Sequence, residues 1–312
     1  QKKWASEKNI TFKSNWKENI LLNQVINCKP DIFYFAGNFN YYDKFFKQIK
    51  PYVGKIFCWI SAEIPKNLNL QDVDLMISDN KKILDYSISK GTKAYKMLSS
   101  VPQFNDGFKK YKDRAIEMIF TGSLGRQFKE RNNILKFLKN NNIALEIYGK
   151  GLAEDSFVTM PIEVFIRKLF PNIYDKLYIK KYIPIINSLK NNVKNPIFGE
   201  NMISTLNNSK MVLNVHSDFD IDFAINMRVF EALSMGCLLF TEKNAEVEKH
   251  FQHNKHLVIY SDKVDLLEKI KFYKQNPELS MQISLEGQKE VALKHNISKR
   301  FKELYLKINK IK

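Results

Sequence analysis

Residues 214–242 read NVHSDFDIDFAINMRVFEALSMGCLLFTE. An apolar run ends near His216, a polar loop follows, and an amphipathic stretch over 227–235 stops at Gly236 before the apolar run 237–240. Strand, loop, helix, glycine stop and strand make one unit of an α/β fold with a parallel sheet. A helix that starts at Met227 offers unpaired N–H groups and a positive dipole end, which together form an anion site. Arg228 beside that end supplies a charge-assisted partner for a diphosphate. Glu231, one turn deeper, can accept from the two vicinal hydroxyls of a ribose. The helix dipole alone also favours a Glu in a first turn, so Glu231 taken singly says little. Spaced by three, however, the two side chains project from one side of the helix.

Outward from this segment the alternation continues in both directions. Toward the N-terminus, strands are expected at 31–37, 55–61, 73–78 and 92–98, and helices at 41–49 and 80–90. Residues 99–113 carry Ser, Pro, Asn, Asp and Gly without a sustained period and read as a linker. The pattern then restarts with a strand at 115–121, a tight turn at 122–125, a helix at 127–140 and a strand at 143–148. A helix at 198–206, a strand at 210–215 and a strand at 256–260 follow, with helices from 263 nearly to the end. The chain of 312 residues exceeds the roughly 250 at which single cores stop growing. The expected organisation is therefore two Rossmann-like domains, 1–113 and 114–312, facing each other across a central cleft. The second would carry an insertion at 152–197 and closing helices, the last of which crosses back to the first domain. Such sheets bind ligands at the carboxyl ends of their strands.

Composition narrows the class. At 44% hydrophobic and 27% charged the chain is neither disordered nor low-complexity. No apolar run approaches the ~20 residues of a transmembrane helix. Gln1 opens a polar stretch without a leader pattern, and Cys28, Cys58 and Cys237 lie far apart, so reduced thiols in a cytoplasmic protein are expected. The net charge of +17 points to a polyanionic partner, although a chain this rich in Lys, Asn and Ile also reflects the base composition of its gene. Only six of the 50 basic residues are Arg (114, 126, 131, 167, 228 and 300), so each is worth locating. Residues 163–190 hold five aromatics, six basic and two acidic residues, a composition suited either to an anionic membrane surface or to helices packed on their own domain.

The segment NMRVFEALSMGCLLFTE at 226–242 resembles the nucleotide-binding signature of GT-B glycosyltransferases, specifically the spore-maturation-protein-like branch of the group-one type. Further blocks resemble that branch in order: FTGSLGRQFKERNNILKFL at 120–138, EIYGKG at 146–151, FGENMISTLNNSKMVLNVH at 198–216, and 256–300, which includes Gly287, His295 and Arg300. CWISAEIP at 58–65 and residues 73–98 look like its acceptor domain. The resemblance implies a metal-independent glycosyltransferase of hexosyl type, without a cofactor. It would move a sugar from a nucleotide-sugar to a glycan or lipid-linked acceptor in cell-surface glycan synthesis (capsule, lipopolysaccharide or glycoprotein), and attach peripherally to the inner face of the plasma membrane through 163–190. Donor-binding residues would be Gly122, Ser123, Arg126, Arg131, Tyr148, Gly149, Phe198, Asn226, Met227, Arg228 and Glu231. Gly122 and Ser123 would stand in a phosphate-facing turn, and Arg131, Arg228 and Arg126 would neutralise the leaving diphosphate. Related retaining enzymes place a Glu eight residues before the ribose-binding Glu; here that position is Phe223, with Asp220 and Asp222 close by. Retention or inversion stays open, and for inversion Asp220, Asp222 and His216 are the candidate bases.

Alternatives accompany this reading. His216 at a strand end can be a core or capping histidine instead of a substrate contact. His250, His253 and His256 are spaced like metal ligands, but they span a helix end and a strand start with no acidic or Cys set beside them, so no metal is expected. A non-catalytic nucleotide- or polyanion-binding protein of the same fold is the rival function. A nucleic-acid binder would lack any recognisable reading motif.

Overall fold

The computed structural model describes residues 2–7, 16–37, 43–61, 69–104, 106–124, 128–150, 189, 192–216 and 224–308. The chain divides into two compact units, Gln1–Leu98 and Ser99–Lys312, each with its own parallel sheet. The expectations for Arg126, Asp220, Asp222, Phe223 and residues 163–188 lie outside the described residues.

The first unit opens with α1 (Lys2–Glu7) and α2 (Trp16–Cys28). Its sheet runs β1 (Ile32–Ala36), β2 (Lys55–Trp59), β3 (Leu75–Ser78) and β4 (Lys93–Lys96) in sequential order, all parallel. Helices α3 (Asp43–Ile49) and α4 (Lys81–Ser89) connect them. All four residues of β3 are buried, as the unbroken apolar run predicts for a strand covered on both faces. Asn80 caps α4 by accepting from the Lys82 N–H at 2.9 Å, and Gly91 closes it at φ +78°.

The second unit holds a six-stranded parallel sheet in the order β10-β9-β8-β5-β6-β7. Its strands are β5 (Ile116–Ser123), β6 (Leu145–Lys150), β7 (Val193–Lys194), β8 (Ser209–Leu213), β9 (Leu238–Glu242) and β10 (Val258–Tyr260). The chain steps outward from β5 to β7, then returns to the other side of β5 for β8 and continues to β10. Strand order therefore reverses between β5 and β8, the topological switch point of a doubly wound sheet. The connecting helices are α5 (Lys129–Asn140), α6 (Gly199–Asn207), α7 (Met227–Ser234) and α8 (Ala245–His250), and α9 (Lys263–Gln275), α10 (Pro277–Lys294) and α11 (Ile297–Ile308) follow the last strand.

Two expectations need revision. Residues 122–125 do not begin a tight turn at Gly122: β5 runs on through Gly122 and Ser123, which pair with Gly149 and Lys150 of β6. Residues 99–113 are not a free connector. Val101 bridges to the segment between α10 and α11, Ile297 donating to its carbonyl at 3.0 Å, and Asn207 donates to the Gly107 carbonyl at 2.8 Å. Backbone pairing with distant elements gathers this polar stretch into the second unit.

Helix α7 is largely buried in that unit. Val229, Phe230, Ala232, Leu233 and Ser234 are all buried, and α7 packs on β9 and α10. Its C-terminus turns at Gly236 with φ +63°, where a side chain would be strained. Arg114, itself buried, reaches the carbonyls of Met235, Gly236 and Ser209 at 2.7, 2.8 and 2.9 Å. One cation thus satisfies helix-end acceptors and ties them to β8. On the other side α10 approaches so closely that a Cβ at Gly287 would meet the His256 carbonyl oxygen at 2.2 Å and Leu233 Cδ2 at 2.9 Å. Gly287→Ala should therefore lower stability by about 1–3 kcal/mol through overpacking. Urea denaturation checks this, and an unchanged midpoint would contradict the close approach.

Candidate active site

The crevice at the switch point opens where the β5–β8 ladder ends. The last paired residues are Phe120 and Leu213, after which β5 continues to Ser123 alongside β6 alone. Arg131 of α5 spans the gap. It is buried, and its guanidinium donates to the Ser123 carbonyl at 2.8 Å and the Val215 carbonyl at 2.7 Å, with the Phe128 ring 4.3 Å from Cζ. The structure brings Arg131 to the site but turns its charge onto main chain, so its geometry is that of a strut between two strand ends. The glycines fit the same crowding. A Cβ on Gly149 would stand 2.5 Å from the Gly122 carbonyl oxygen, and one on Gly122 would stand 2.9 Å from the Phe120 ring.

Across the crevice lies the N-terminus of α7. Its N-cap is Asn226, whose side chain makes no capping bond. Asn226 Nδ2 instead donates to Asn214 Oδ1 at 2.8 Å, and among the described residues the first-turn amides have no side-chain cap. Arg228 and Glu231 are brought together as an ion pair on this helix, with side chains 21% and 16% exposed. Burial pulls the Arg228 guanidinium below its ordinary pKa and pushes the Glu231 carboxyl up, and each is opposed by the charge of the other. A half-buried pair of this kind is costly to separate unless something replaces the missing partner.

Arg228 also lines a pocket of about 150 Å³ with Thr121, Gly122, Ser123, Tyr148, Pro196, Ile197, Phe198 and Met202. Phe198 is 69% exposed and ready to cover a planar ligand. Tyr148 and Lys194 both bond Glu146 Oε2 at 2.7 Å. Met227 stands exposed at the start of α7. The pocket therefore collects five of the expected donor-binding residues, Gly122, Ser123, Tyr148, Phe198 and Arg228, and adds Thr121, Pro196, Ile197 and Met202. Those four are apolar or small and carry no sequence mark that separates them from core.

His216 sits just past β8 with its side chain 1% exposed. Its Nδ1 is 3.0 Å from Glu242 Oε2, and its main-chain N–H donates to both Glu242 oxygens at 3.0 Å. Asn214 lies 3.4 Å from the same Nδ1 and donates to Thr241 Oγ1 at 3.0 Å. Glu242 was part of the quoted signature without an assigned role; the pairing of β8 with β9 brings it beside His216. The other histidines are used structurally. His253 Nδ1 accepts from the Ile259 N–H at 2.9 Å and His256 Nδ1 from the Gln252 N–H at 3.2 Å, which accounts for two of the three metal-like spacings.

Residues 126–305 match the model of a family described as glycosyl transferase-like, more than half of the chain. The chain belongs to that family. No curated protein matches it by sequence. Among solved structures, HepE of Anabaena in complex with UDP and glucose aligns at a TM-score of 0.63 and 10% identity, covering 96% of this chain and 84% of HepE. A glycosyltransferase from Rickettsia africae aligns at 0.60 and 11% identity over 94% of this chain and 80% of its own. Sucrose-phosphate synthase of Thermosynechococcus elongatus aligns at 0.58 and 8% identity over 95% and 78%. At such identities the likeness concerns fold, and that fold is GT-B, as the family resemblance implied.

The strut has a measurable consequence. Arg131→Met leaves two strand-end carbonyls unpaired and should destabilise the protein by about 2 kcal/mol or more. Arg131→Lys should recover only part, because an ammonium lacks the planar fork that reaches both oxygens. Thermal and urea melts of the two variants measure this, and wild-type stability in Arg131→Met would refute the bridging role.

Proposed function

We propose that this chain transfers a sugar, of hexose type, from a nucleotide-sugar to an acceptor hydroxyl, in the spore-maturation-protein-like branch of the group-one glycosyltransferases. The observation that carries the reading is the Arg228–Glu231 pair on an N-terminus without a side-chain cap, at the switch point of a doubly wound sheet. A donor's diphosphate meets the first-turn amides and Arg228, its ribose hydroxyls meet Glu231, and its base lies toward Phe198 and Tyr148 in the pocket. HepE, similar in fold, was solved with UDP and glucose and with UDP-glucose, which supports a nucleotide-sugar as the donor.

In the reaction the bond from sugar C1 to the diphosphate oxygen breaks and its electron pair leaves on the diphosphate. The acceptor oxygen bonds C1, and its proton passes to a base or to the departing phosphate. The protein's part is to stabilise charge on the leaving group, through Arg228, the amides of α7 and, in this reading, Arg126. Those cations make the chemistry metal-independent. For an inverting course Asp220 or Asp222 takes the proton. The acceptor is a glycan or lipid-linked precursor of a surface polysaccharide. No helix among the described residues is long and apolar enough to cross a membrane; residues 163–190, basic and aromatic, are the proposed contact with an anionic bilayer.

Calorimetry with nucleosides and nucleoside diphosphates tests the donor site. Glu231→Ala should weaken diphosphate binding roughly tenfold to a hundredfold, since a charged hydrogen-bond partner contributes about 1.5–3 kcal/mol. Arg228→Ala should weaken diphosphate far more than nucleoside. Equal losses for both ligands with reduced melting temperature would make Arg228 merely structural. Release of nucleoside diphosphate from a nucleotide-sugar supports an enzyme; binding without any turnover supports the non-catalytic rival. The membrane contact is tested by flotation with anionic liposomes at low salt, where deletion of 163–190 should abolish binding; no flotation of the full chain ends that part.

A further inference from the structure

We infer that Glu242 holds His216 so that its Nε2 donates to a phosphate oxygen of the bound donor, an inference that rests on the donor site proposed above. Three polar atoms at this corner are buried and have no partner among the described residues: His216 Nε2, Asn226 Oδ1 and Arg228 Nε. Folded proteins rarely leave such groups unpaired without a ligand or a mechanistic reason. Two of the three atoms, His216 Nε2 and Arg228 Nε, can donate, and Asn226 and Arg228 stand at the start of α7.

The ring is placed there by a short chain of contacts. Asn214 approaches His216 Nδ1 at 3.4 Å and accepts from Asn226, the N-cap of α7, at 2.8 Å. One side chain therefore separates the imidazole from the helix end. Glu242 meets the same ring nitrogen. Its Oε2 is 3.0 Å from Nδ1, while both its oxygens accept the His216 main-chain N–H, so Nδ1 is engaged and Nε2 is the ring nitrogen left without a partner among the described residues.

Charge gives the sign of the contact. A carboxylate with a side chain 13% exposed, at the carboxyl end of the strand next to β8, would repel a diphosphate if its charge stood alone. Between the Glu242 carboxylate at Nδ1 and an anion at Nε2 the imidazole donates from both nitrogens, so Nε2–H is a charge-assisted donor that needs an acceptor. A phosphate oxygen at the helix N-terminus supplies one. Glu242 is then a positioning residue, and His216 the group that touches the donor.

The test uses the whole chain with ¹⁵N-labelled histidine, titrated with UDP, GDP, ADP and CDP and with the corresponding nucleosides. The His216 resonances are assigned by their loss in His216→Gln. A diphosphate that binds by calorimetry should move the Nε2 resonance of His216, whereas its nucleoside should not. Binding that leaves His216 unmoved overturns the inference and spares the donor site; no binding of any diphosphate overturns both. Glu242→Gln should weaken diphosphate roughly tenfold, as for the loss of one charge-assisted hydrogen bond. It should leave nucleoside affinity unchanged, and Glu242→Asp should recover part of the loss. Wild-type diphosphate affinity in Glu242→Gln, or equal losses for nucleoside and diphosphate, would overturn it.

Discussion

Two hydrogen bonds from one guanidinium hold open the crevice on which the second unit's site depends. Where the β5–β8 ladder stops at Phe120 and Leu213, nothing in the sheet keeps the strand ends at a fixed spacing. Arg131 restores a link from Ser123 to Val215 without closing the gap. Because the linker is a side chain from α5, the crevice floor, the helix behind it and both strands form one rigid frame. The small residues Gly122 and Gly149 fit the same crowding, since a Cβ on Gly149 would collide with the Gly122 carbonyl and one on Gly122 with the Phe120 ring.

The same economy governs α7. A helix that presents its N-terminus to a ligand must be anchored elsewhere, and this one is held from behind. Arg114 takes the carbonyls at its far end, Gly236 lets the chain reverse, and Gly287 admits α10 against its flank. In a chain with 50 basic residues, the four arginines among the described residues each make contacts suited to a planar guanidinium. Arg114 and Arg131 satisfy several carbonyls each, Arg300 pairs with Glu303 and contacts His295, and Arg228 faces the pocket. Burial beside Arg300 pushes His295 down to about 3, so that ring packs against Phe230 and Phe251 as a neutral aromatic.

The sheets were legible in the sequence because parallel strands buried on both faces are unbroken apolar runs, as at Leu75–Ser78 and Leu238–Glu242. Helix α7 was legible for a complementary reason: its apolar period, its glycine stop and its Arg–Glu spacing are all local. What depends on strand pairing was not. The apparent turn at 122–125 reads as one because glycine and serine mark turns, yet β6 recruits Gly122 and Ser123 into the ladder. The linker reading of 99–113 failed to see that Asn207 and Ile297, a hundred and more residues away, would supply its backbone partners. Glu242 closes a strand in a way that looks like ordinary solvation until β8 and β9 are laid side by side. The bonds of Arg131 to Ser123 and Val215 were not legible either, because the carbonyls it meets lie on other elements.

The Arg228–Glu231 contact carries one more consequence. At rest the two side chains cancel, so the mouth of α7 is far less inviting to stray anions than a surface of +17 suggests. An isolated phosphate that drew Arg228 away would strand a carboxylate in a half-buried place, and a lone sugar that engaged Glu231 would do the same to the guanidinium. Only a molecule that carries a diol and an anionic tail at the right separation relieves both at once. In the donor site proposed above, the lock works as a logical conjunction: each half of the key is penalised unless the other half is present, and selectivity for the whole nucleotide would arise from a bond the protein makes with itself.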